Sequence, residues 1–391
     1  MLVRVAPKAA PPLPNIEIEA PVEYTPPDGI EIDDADVVEV ESMLDSAWDA
    51  LAEESSRRRS PPTVPPPLPS LVEGLAPGVE PAELDAVAGA TGVYIPMRKL
   101  GAYRGETTYL AARSCPSGMG RPVIVERLAA RPGISWTKRK ERFLLESRLA
   151  MRLRHPHLAS VIDAGCQDHV PFRVRELING PSLRQLAALK GIMRPALVAA
   201  IGWQIAQALS YVHAKSDRSG YPLHLVHGAL SPSTVFFGRD GKAKLSPVSV
   251  TRIGDQRLHT ANGGREGRFS CASPCQREGL PFDHRADLYA LGIILAELAT
   301  GQPLPPPDAG QPSLGLELTR RCAALGNIPP PLTALLLSLT AAAPESRPDR
   351  ADDVVLALER IMESAGEWPD LAKEVTEILP FVEPIIPEVA R

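Results

Sequence analysis

Several features that the sequence lacks narrow the classes of protein it can encode. Its five cysteines are an odd number at unrelated spacings, which argues against a disulfide framework. No apolar run reaches the roughly 18 residues that cross a bilayer, and the N-terminus lacks the apolar core of a signal peptide. We therefore expect a cytoplasmic protein with no membrane span. Its 391 residues are enough for one large domain with extensions.

Basic residues are also missing between Lys8 and Arg57, where acidic residues recur. Prolines cluster in this stretch and just beyond it, and such a composition favours extended or disordered chain over a packed core. We therefore expect residues 1–90 to form a Pro-rich acidic arm that is mostly disordered. Its negative charge repels nucleic acid and anionic membrane surfaces, which argues against nucleic acid as a partner.

An apolar stripe lies within this arm. Residues 36–53 carry apolar side chains at spacings of three and four, a pattern that predicts an amphipathic helix. The stripe consists of Val37, Val40, Leu44, Trp48 and Leu51. Two interpretations stay open: the helix docks on the protein's own domain, or it is a tethered ligand for another protein. In either case Trp48 is the natural anchor.

Residues 225–237 resemble the catalytic loop of protein kinases, in which His-Arg-Asp-Leu-Lys-Pro-x-Asn precedes apolar residues. Further kinase motifs stand before and after this loop, in the order found in kinases, over residues 94–362, roughly two thirds of the chain. They include Val123-Ile124-Val125-Glu126 for Val-Ala-Ile-Lys, Lys244-Leu245-Ser246-Pro247-Val248-Ser249 around the Asp-Phe-Gly position, Ala272-Ser273-Pro274-Cys275 for Ala-Pro-Glu, and the F-helix signature at 283–292. The set is similar to bacterial Ser/Thr kinases of the eukaryotic-like type.

The resemblance implies an α+β, bilobal kinase-like fold. We expect a small β-rich N-lobe with its αC helix at 91–178, a larger, mainly α-helical C-lobe at 179–365, and an amphipathic, Pro-containing tail at 366–391 that packs on the domain or on a partner. Four residues match framework positions of the family: His227, Asp287, Gly292 and Arg347. Asp287 would cap the backbone of the catalytic loop, and Gly292 would permit close helix packing.

The residues that a kinase uses for catalysis and for magnesium are replaced. Matched to the family, Glu126 stands for the lysine of the third strand and Ala229 for the catalytic aspartate. Thr234 and Pro247 stand for the two metal ligands, and a single hydroxyl cannot hold a hard dication alone. The resemblance therefore implies no kinase activity, no cofactor and no metal.

The nucleotide pocket is altered in the same way. The glycines of a kinase phosphate loop let backbone N–H groups approach the phosphates, but only Gly101 is kept, because Tyr103 and Glu106 replace the second and third glycine. The carboxylate of Glu126 would repel a triphosphate by roughly 1 kcal/mol in water and by more in a dry cleft. Around the adenine position stand Thr108, Ile124, Phe236 and, as gatekeeper, Arg175.

Arg175 leads to a specific prediction. Glu146 matches the αC glutamate whose lysine partner is lost, and an isolated carboxylate is costly to bury. We expect Arg175 to pair with Glu146, Glu126 or both, and so to hold αC inward. The alternatives are that Arg175 reaches out to solvent or that the register is shifted by one residue.

Together these replacements imply a pseudokinase that binds other proteins as a scaffold or regulator in bacterial signalling. Its expected partners include an active kinase, contacted through the acidic arm or the lobes. Two other functions stay open. One is a weak or atypical Ser/Thr kinase or nucleotidyl transferase, and the other is a small-molecule sensor that uses the remodelled cleft near Glu126 and Glu146.

Overall fold

The computed structural model describes the chain from residue 86 onward, with short interruptions. The described residues are 86–103, 106–115, 118–130, 135–217, 219–246, 251–252, 271–304 and 313–382. The predicted arm helix and its stripe lie outside them, as does Pro247, and only the backbone of Tyr103 is described. All described residues belong to one compact unit.

Six strands form one sheet in the N-terminal part of the described chain. They are β1 Val87–Ala88, β2 Val93–Tyr103, β3 Glu106–Cys115, β4 Gly118–Leu128, β5 Val161–Gln167 and β6 Val170–Glu176. Their order is β1-β2-β3-β4-β6-β5, and every pair of neighbours is antiparallel. The sheet begins before residue 91, the expected start of the lobe, because Val87 is fully buried and pairs with Tyr94.

One helix, α1 Trp136–Met151, packs against β5 and β6. Its buried residues Phe143, Glu146, Ser147 and Ala150 recur at spacings of three and four, so they share one face of the helix. The helix matches the αC helix expected from the sequence. With the sheet it forms the smaller, β-rich lobe.

Helices make up most of the larger lobe. They are α2 Leu183–Lys190, α3 Pro195–His213, α4 Pro274–Glu278, α5 Arg285–Thr300, α6 Leu314–Leu325, α7 Pro330–Leu339, α8 Ala351–Ala365 and α9 Leu371–Ile378, with single 3₁₀ turns at Pro344–Ser346 and Leu379–Phe381. Four short strands form two antiparallel ribbons, β7 Leu225–Val226 with β10 Thr251–Arg252, and β8 Val235–Phe237 with β9 Ala243–Leu245. The two-lobed kinase fold expected from the motifs is confirmed.

The core of the larger lobe is built around α3 and α5. Pro195 stands in the first turn of α3, where a missing N–H costs no hydrogen bond. Gly292 lets α5 and α7 approach closely, because a Cβ atom at this residue would lie 2.5 Å from the Cβ of Leu339. The packing role expected of Gly292 is therefore present.

Helix α3 also has the length and apolar composition to cross a membrane. From the sequence we did not count this segment as a possible membrane span, because Gln204 and Gln207 interrupt its apolar run. In the structure 72% of its apolar window is buried within the fold. Helix α3 is thus a core helix of the larger lobe.

The tail after α8 packs on the larger lobe. Asp370 caps α9 by accepting a hydrogen bond from the backbone N–H of Lys373. Leu371, Val375 and Ile378 lie on one side of α9 and are buried in the main core. Residues 371–378 therefore belong to the domain, whereas 383–391 lie outside the described residues.

Candidate functional site

The alternation of side chains along β4 and β6 determines which residues face the cleft of the small lobe. Ile124 and Glu126 of β4 lie directly opposite Arg175 and Arg173 of β6. Successive side chains point to opposite faces of a sheet, so these four residues share one face. The other face carries apolar residues such as Val125 and Val174, both fully buried. Strand pairing therefore brings two arginines and a glutamate into one partly apolar site.

Four charged side chains form what we call the cleft ion network: Glu106, Glu126, Arg173 and Arg175. Arg173 Nε lies 2.6 Å from Glu126 Oε2, and Arg173 Nη2 lies 2.6 Å from Glu106 Oε2. Arg175 Nε lies 2.9 Å from Glu126 Oε1. Both oxygens of Glu126 are thus engaged, and the two positive charges balance the two negative charges.

The network favours the charged forms of Glu126 and Arg173 although both are buried. Burial alone would raise the pKa of the Glu126 carboxyl, but the charges and hydrogen bonds of Arg173 and Arg175 lower that pKa to about 2. Burial alone would lower the pKa of Arg173, whereas Glu106, Glu126 and Glu146 raise it. Glu126 is therefore a carboxylate at any pH near neutrality.

Arg173 also joins the network to helix α1. Its guanidinium carbon lies 4.4 Å from the ring centroid of Phe143, in a cation–π contact. The charge of Glu146, on the same face of α1, acts on Arg173 as well. Glu146 Oε1 accepts a hydrogen bond from Arg142 Nε at 2.8 Å. Arg173 thus connects the strand that carries Glu126 to the inward face of the helix.

The ion pair predicted for Arg175 is present with Glu126, whereas the structure gives Glu146 a pair with Arg142. Arg173 was not predicted, because it lies in none of the kinase motifs named above. The signal that could have found it is its spacing. Arg173 and Arg175 are two residues apart in one strand, so they must point to the same side.

Some of the residues expected at the adenine position lie near one another. Arg175 pairs across the sheet with Ile124, which is almost fully buried, and its guanidinium carbon lies 5.6 Å from the ring centroid of Phe236. Thr108 pairs with Glu126 on one side and with the exposed Gly101 on the other. The strands thus place a long cation and apolar side chains around the expected adenine position.

The loop after β7 is held by a buried aspartate. Asp287 accepts hydrogen bonds from the backbone N–H groups of His227 and Gly228, each at 2.8 Å, and from His213 Nε2 at 2.9 Å. His227 Nε2 lies 2.8 Å from the carbonyl oxygen of Ser246. Burial raises the pKa of Asp287, but these contacts lower it overall. The capping role expected of Asp287 is present.

The positions that would supply a base and a metal ligand contribute neither in this loop. Ala229 has no polar side chain. The Thr234 hydroxyl donates to the carbonyl oxygen of Ser231 at 2.9 Å and accepts from the N–H of Ser231 at 3.0 Å. Within the part of the chain that the structure describes, no cluster of three or more His, Cys, Asp or Glu side chains could hold a metal ion.

Arg347 keeps its place although Cys275 replaces the glutamate that pairs with it in the family. Its guanidinium donates to the carbonyl oxygens of Ala341 and Ala342, each at 2.8 Å, and lies 4.8 Å from the ring centroid of Tyr289. Burial lowers the pKa of Arg347. Backbone carbonyls and an aromatic face thus satisfy this framework arginine.

Comparison with known proteins agrees with this architecture. The profile of the family "Protein tyrosine and serine/threonine kinase" matches residues 108–355. Tyrosine-protein kinase MasK of Myxococcus xanthus is 26% identical over 318 residues, covering 78% of this chain and 46% of MasK. Serine/threonine-protein kinase PknL of Mycobacterium tuberculosis is 31% identical over 213 residues, covering 53% of this chain and 51% of PknL.

A solved structure is similar over most of the described chain. The crystal structure of the Mycobacterium tuberculosis PknI kinase domain superposes with a TM-score of 0.53 at 23% identity, covering 72% of this chain and 100% of that domain. The chain spans about half the length of MasK and of PknL. It belongs to the protein tyrosine and serine/threonine kinase family, with a kinase domain of the bacterial eukaryotic-like type.

Proposed function

We propose that this chain is a catalytically inactive member of its family, a pseudokinase that binds other proteins as a scaffold or regulator in bacterial signalling. The observation that carries the proposal is the cleft ion network. Glu126 occupies the strand position of the family's phosphate-binding lysine, and Arg173 and Arg175 hold both of its oxygens. Where a kinase attracts phosphates, this cleft presents a carboxylate.

A nucleotide would have to open this network in order to bind. Arg173 is fully buried and pairs with both Glu106 and Glu126, so a phosphate that captured it would have to break both ion pairs. Breaking a buried ion pair costs about 3–5 kcal/mol. That is a large part of the roughly 8 kcal/mol available to a ligand of micromolar affinity. We therefore expect Mg·ATP to be excluded.

The absence of a base supports the same proposal. Ala229 cannot accept the proton of a substrate hydroxyl, and the Thr234 hydroxyl is engaged by Ser231 within its own loop. By sequence, Pro247 offers no ligand at the other magnesium position. A phosphoryl transfer would need substitutes for the lysine, the base and both metal ligands at once.

A protein-binding role is supported by what the chain retains. Asp287, His227 and Gly292 hold the loop and the helices in place through contacts within the protein. These contacts would hold the surfaces of the larger lobe in place for a partner. We propose a cytoplasmic protein without cofactor, whose partners are other proteins and include an active kinase, reached through the lobes or the acidic arm.

Transfer assays test the catalytic half of this proposal. The purified full-length chain is incubated with magnesium or manganese and ATP labelled at the γ-phosphate, or in parallel at the α-phosphate, with a generic basic protein as acceptor. We expect no label in either case. Incorporation of γ-label that Glu126→Ala alters would establish a kinase, and incorporation of α-label would establish a nucleotidyl transferase.

A further inference from the structure

Two tryptophans of the larger lobe meet at a right angle on the protein surface. The ring centroids of Trp203, on α3, and Trp368, after α8, lie 6.0 Å apart with an interplanar angle of 90°. Trp368 is 58% exposed. Together with Glu359 of α8 they form what we call the Trp corner. This site lies outside the cleft ion network and the loop after β7.

Both rings are held in place. Trp203 Nε1 donates to Glu359 Oε1 at 2.8 Å, and the Trp203 ring contacts His157 edge-on with centroids 6.3 Å apart. Trp368 is fixed from both sides of the chain, because Glu367 pairs with Arg194 and Leu371 is buried in the core. The exposed indole is therefore part of an ordered surface.

The corner carries the carboxylate of Glu359, whereas the nearby guanidinium of Arg194 is already paired with Glu367 and Glu374. Glu359 and Glu363 lie one turn apart on the same face of α8, and neither has an ion pair with any residue that the structure describes. The face of an indole also attracts cations, more so when a second ring and a carboxylate stand beside it. Lysine ammonium and arginine guanidinium groups bind over the faces of tryptophan rings, and proteins use cages of aromatic rings to recognise ammonium ligands.

We propose that the Trp corner is a docking site for an arginine or lysine side chain in a basic segment of a partner protein. The cation would lie against the exposed face of Trp368, and the carboxylates of Glu359 and Glu363 would balance its positive charge. This proposal names a surface for the protein-binding role put forward above. The exclusion of nucleotide and the docking site can be disproved independently, because nucleotide binding does not involve the Trp corner.

Fluorine NMR of the full chain labelled with 5-fluorotryptophan tests the proposal. The chain has four tryptophans, so four resonances are assigned by Trp→Phe substitution. The probe is an octapeptide alternating arginine with glycine, and its counterpart with glutamate in place of arginine is the control peptide. We expect the Trp203 and Trp368 resonances to shift saturably with the basic peptide alone, while the Trp136 resonance stays in place.

Matched variants separate docking from general attraction to an acidic protein. Trp368→Ala and the double variant Glu359→Gln, Glu363→Gln should each weaken the apparent affinity by about threefold or more. Leu316→Ala, which alters a 62% exposed residue on α6, should leave it unchanged. Glu359→Gln keeps an oxygen that can accept the hydrogen bond from Trp203 Nε1. The double variant therefore still tests the proposal if Trp368→Ala disturbs the fold.

Three results would overturn the proposal. The first is the absence of a saturable shift at Trp203 and Trp368, and the second is equal affinity in the wild type and the corner variants. The third concerns the chain's own end: if Ile385→Ser with Ile386→Ser moves the peptide-free Trp368 resonance and binding appears only then, the tail occupies the corner and a partner does not.

Discussion

Glu126 and Arg173 face each other on neighbouring strands, and Glu126 Oε2 and Arg173 Nε meet at 2.6 Å in the interior of the small lobe. In a working kinase the strand at Glu126 carries a cation whose carboxylate partner lies on the αC helix. Here the strand carries the carboxylate, and the neighbouring strand supplies the cation. The reversed pair still reaches α1, because Arg173 packs on Phe143 at 4.4 Å.

Removing Arg173 should be strongly destabilising. Arg173→Met removes one of the two arginine partners of the buried Glu126 and the ion pair between Arg173 and Glu106. The free energy of unfolding, measured by urea titration, should therefore fall by about 3–5 kcal/mol. Adding Glu126→Leu should cost less than the sum of the single changes, because the buried carboxylate that lost a partner is removed too. The control Arg320→Met changes a side chain that is 77% exposed, and should stay within about 0.5 kcal/mol.

Arg175→Ala should have a smaller effect than Arg173→Met. Glu126 keeps its bond to Arg173, so one charge-assisted hydrogen bond is lost, and we expect a decrease of about 1–3 kcal/mol in the free energy of unfolding. The same urea titrations measure it. A change below about 0.5 kcal/mol would place Arg175 among ordinary surface residues and remove it from the network.

The contribution of Glu126 should depend on pH in one direction. Its pKa is lowered in the folded protein from 4.5 to about 2, so its contribution is complete above the unfolded value and is lost as the pH falls toward 2. The shift corresponds to roughly 3 kcal/mol at neutral pH. The difference in unfolding free energy between wild type and Glu126→Gln should therefore be constant from pH 7 to 5 and shrink below 4.5. A constant difference down to pH 3 would contradict this.

Asp287 should be needed for the loop even in a protein that transfers no phosphate. Asp287→Ala leaves the N–H groups of His227 and Gly228 and the ring of His213 without their acceptor in a buried site. We expect a loss of more than about 3 kcal/mol, measured by thermal or urea unfolding. A loss under about 1 kcal/mol would mean that the loop does not depend on this cap.

The tail helix should behave as part of the domain. Ile378 of α9 is 4% exposed, and Ile378→Ala should cost about 2–5 kcal/mol, toward the lower end because the helix lies at the edge of the core. Leu316→Ala, at a 62% exposed leucine, is the matched control and should be nearly neutral. Equal effects of the two substitutions would show that α9 is not packed in solution.

The fold could be predicted from sequence because short motifs in a fixed order each impose a backbone requirement. Asp287 must cap a loop, and Gly292 must leave room for Leu339. The start of the sheet at Val87 was missed. A strand of two residues inside a Pro-rich, acidic context gives almost no periodic signal.

The cleft was predictable only in part. Its reversed charge followed from Glu126 alone, and one of the two expected partners of Arg175 is the one it has. The role of Arg173 depends on which face of β6 points inward and on how α1 lies against it, to within about an ångström. Motif spacing gives neither of these. Strand alternation shows that Arg173 and Arg175 share a face, but it does not give the position of α1.

Exclusion of nucleotide is tested most directly by the thermal unfolding midpoint of the full-length protein with and without millimolar Mg·ATP. A ligand that binds only the folded state must raise stability by mass action, by about 2.7 kcal/mol at a hundred times its dissociation constant. We predict no change in the midpoint. A magnesium-dependent rise of several degrees would contradict the exclusion of nucleotide and would return catalysis to consideration.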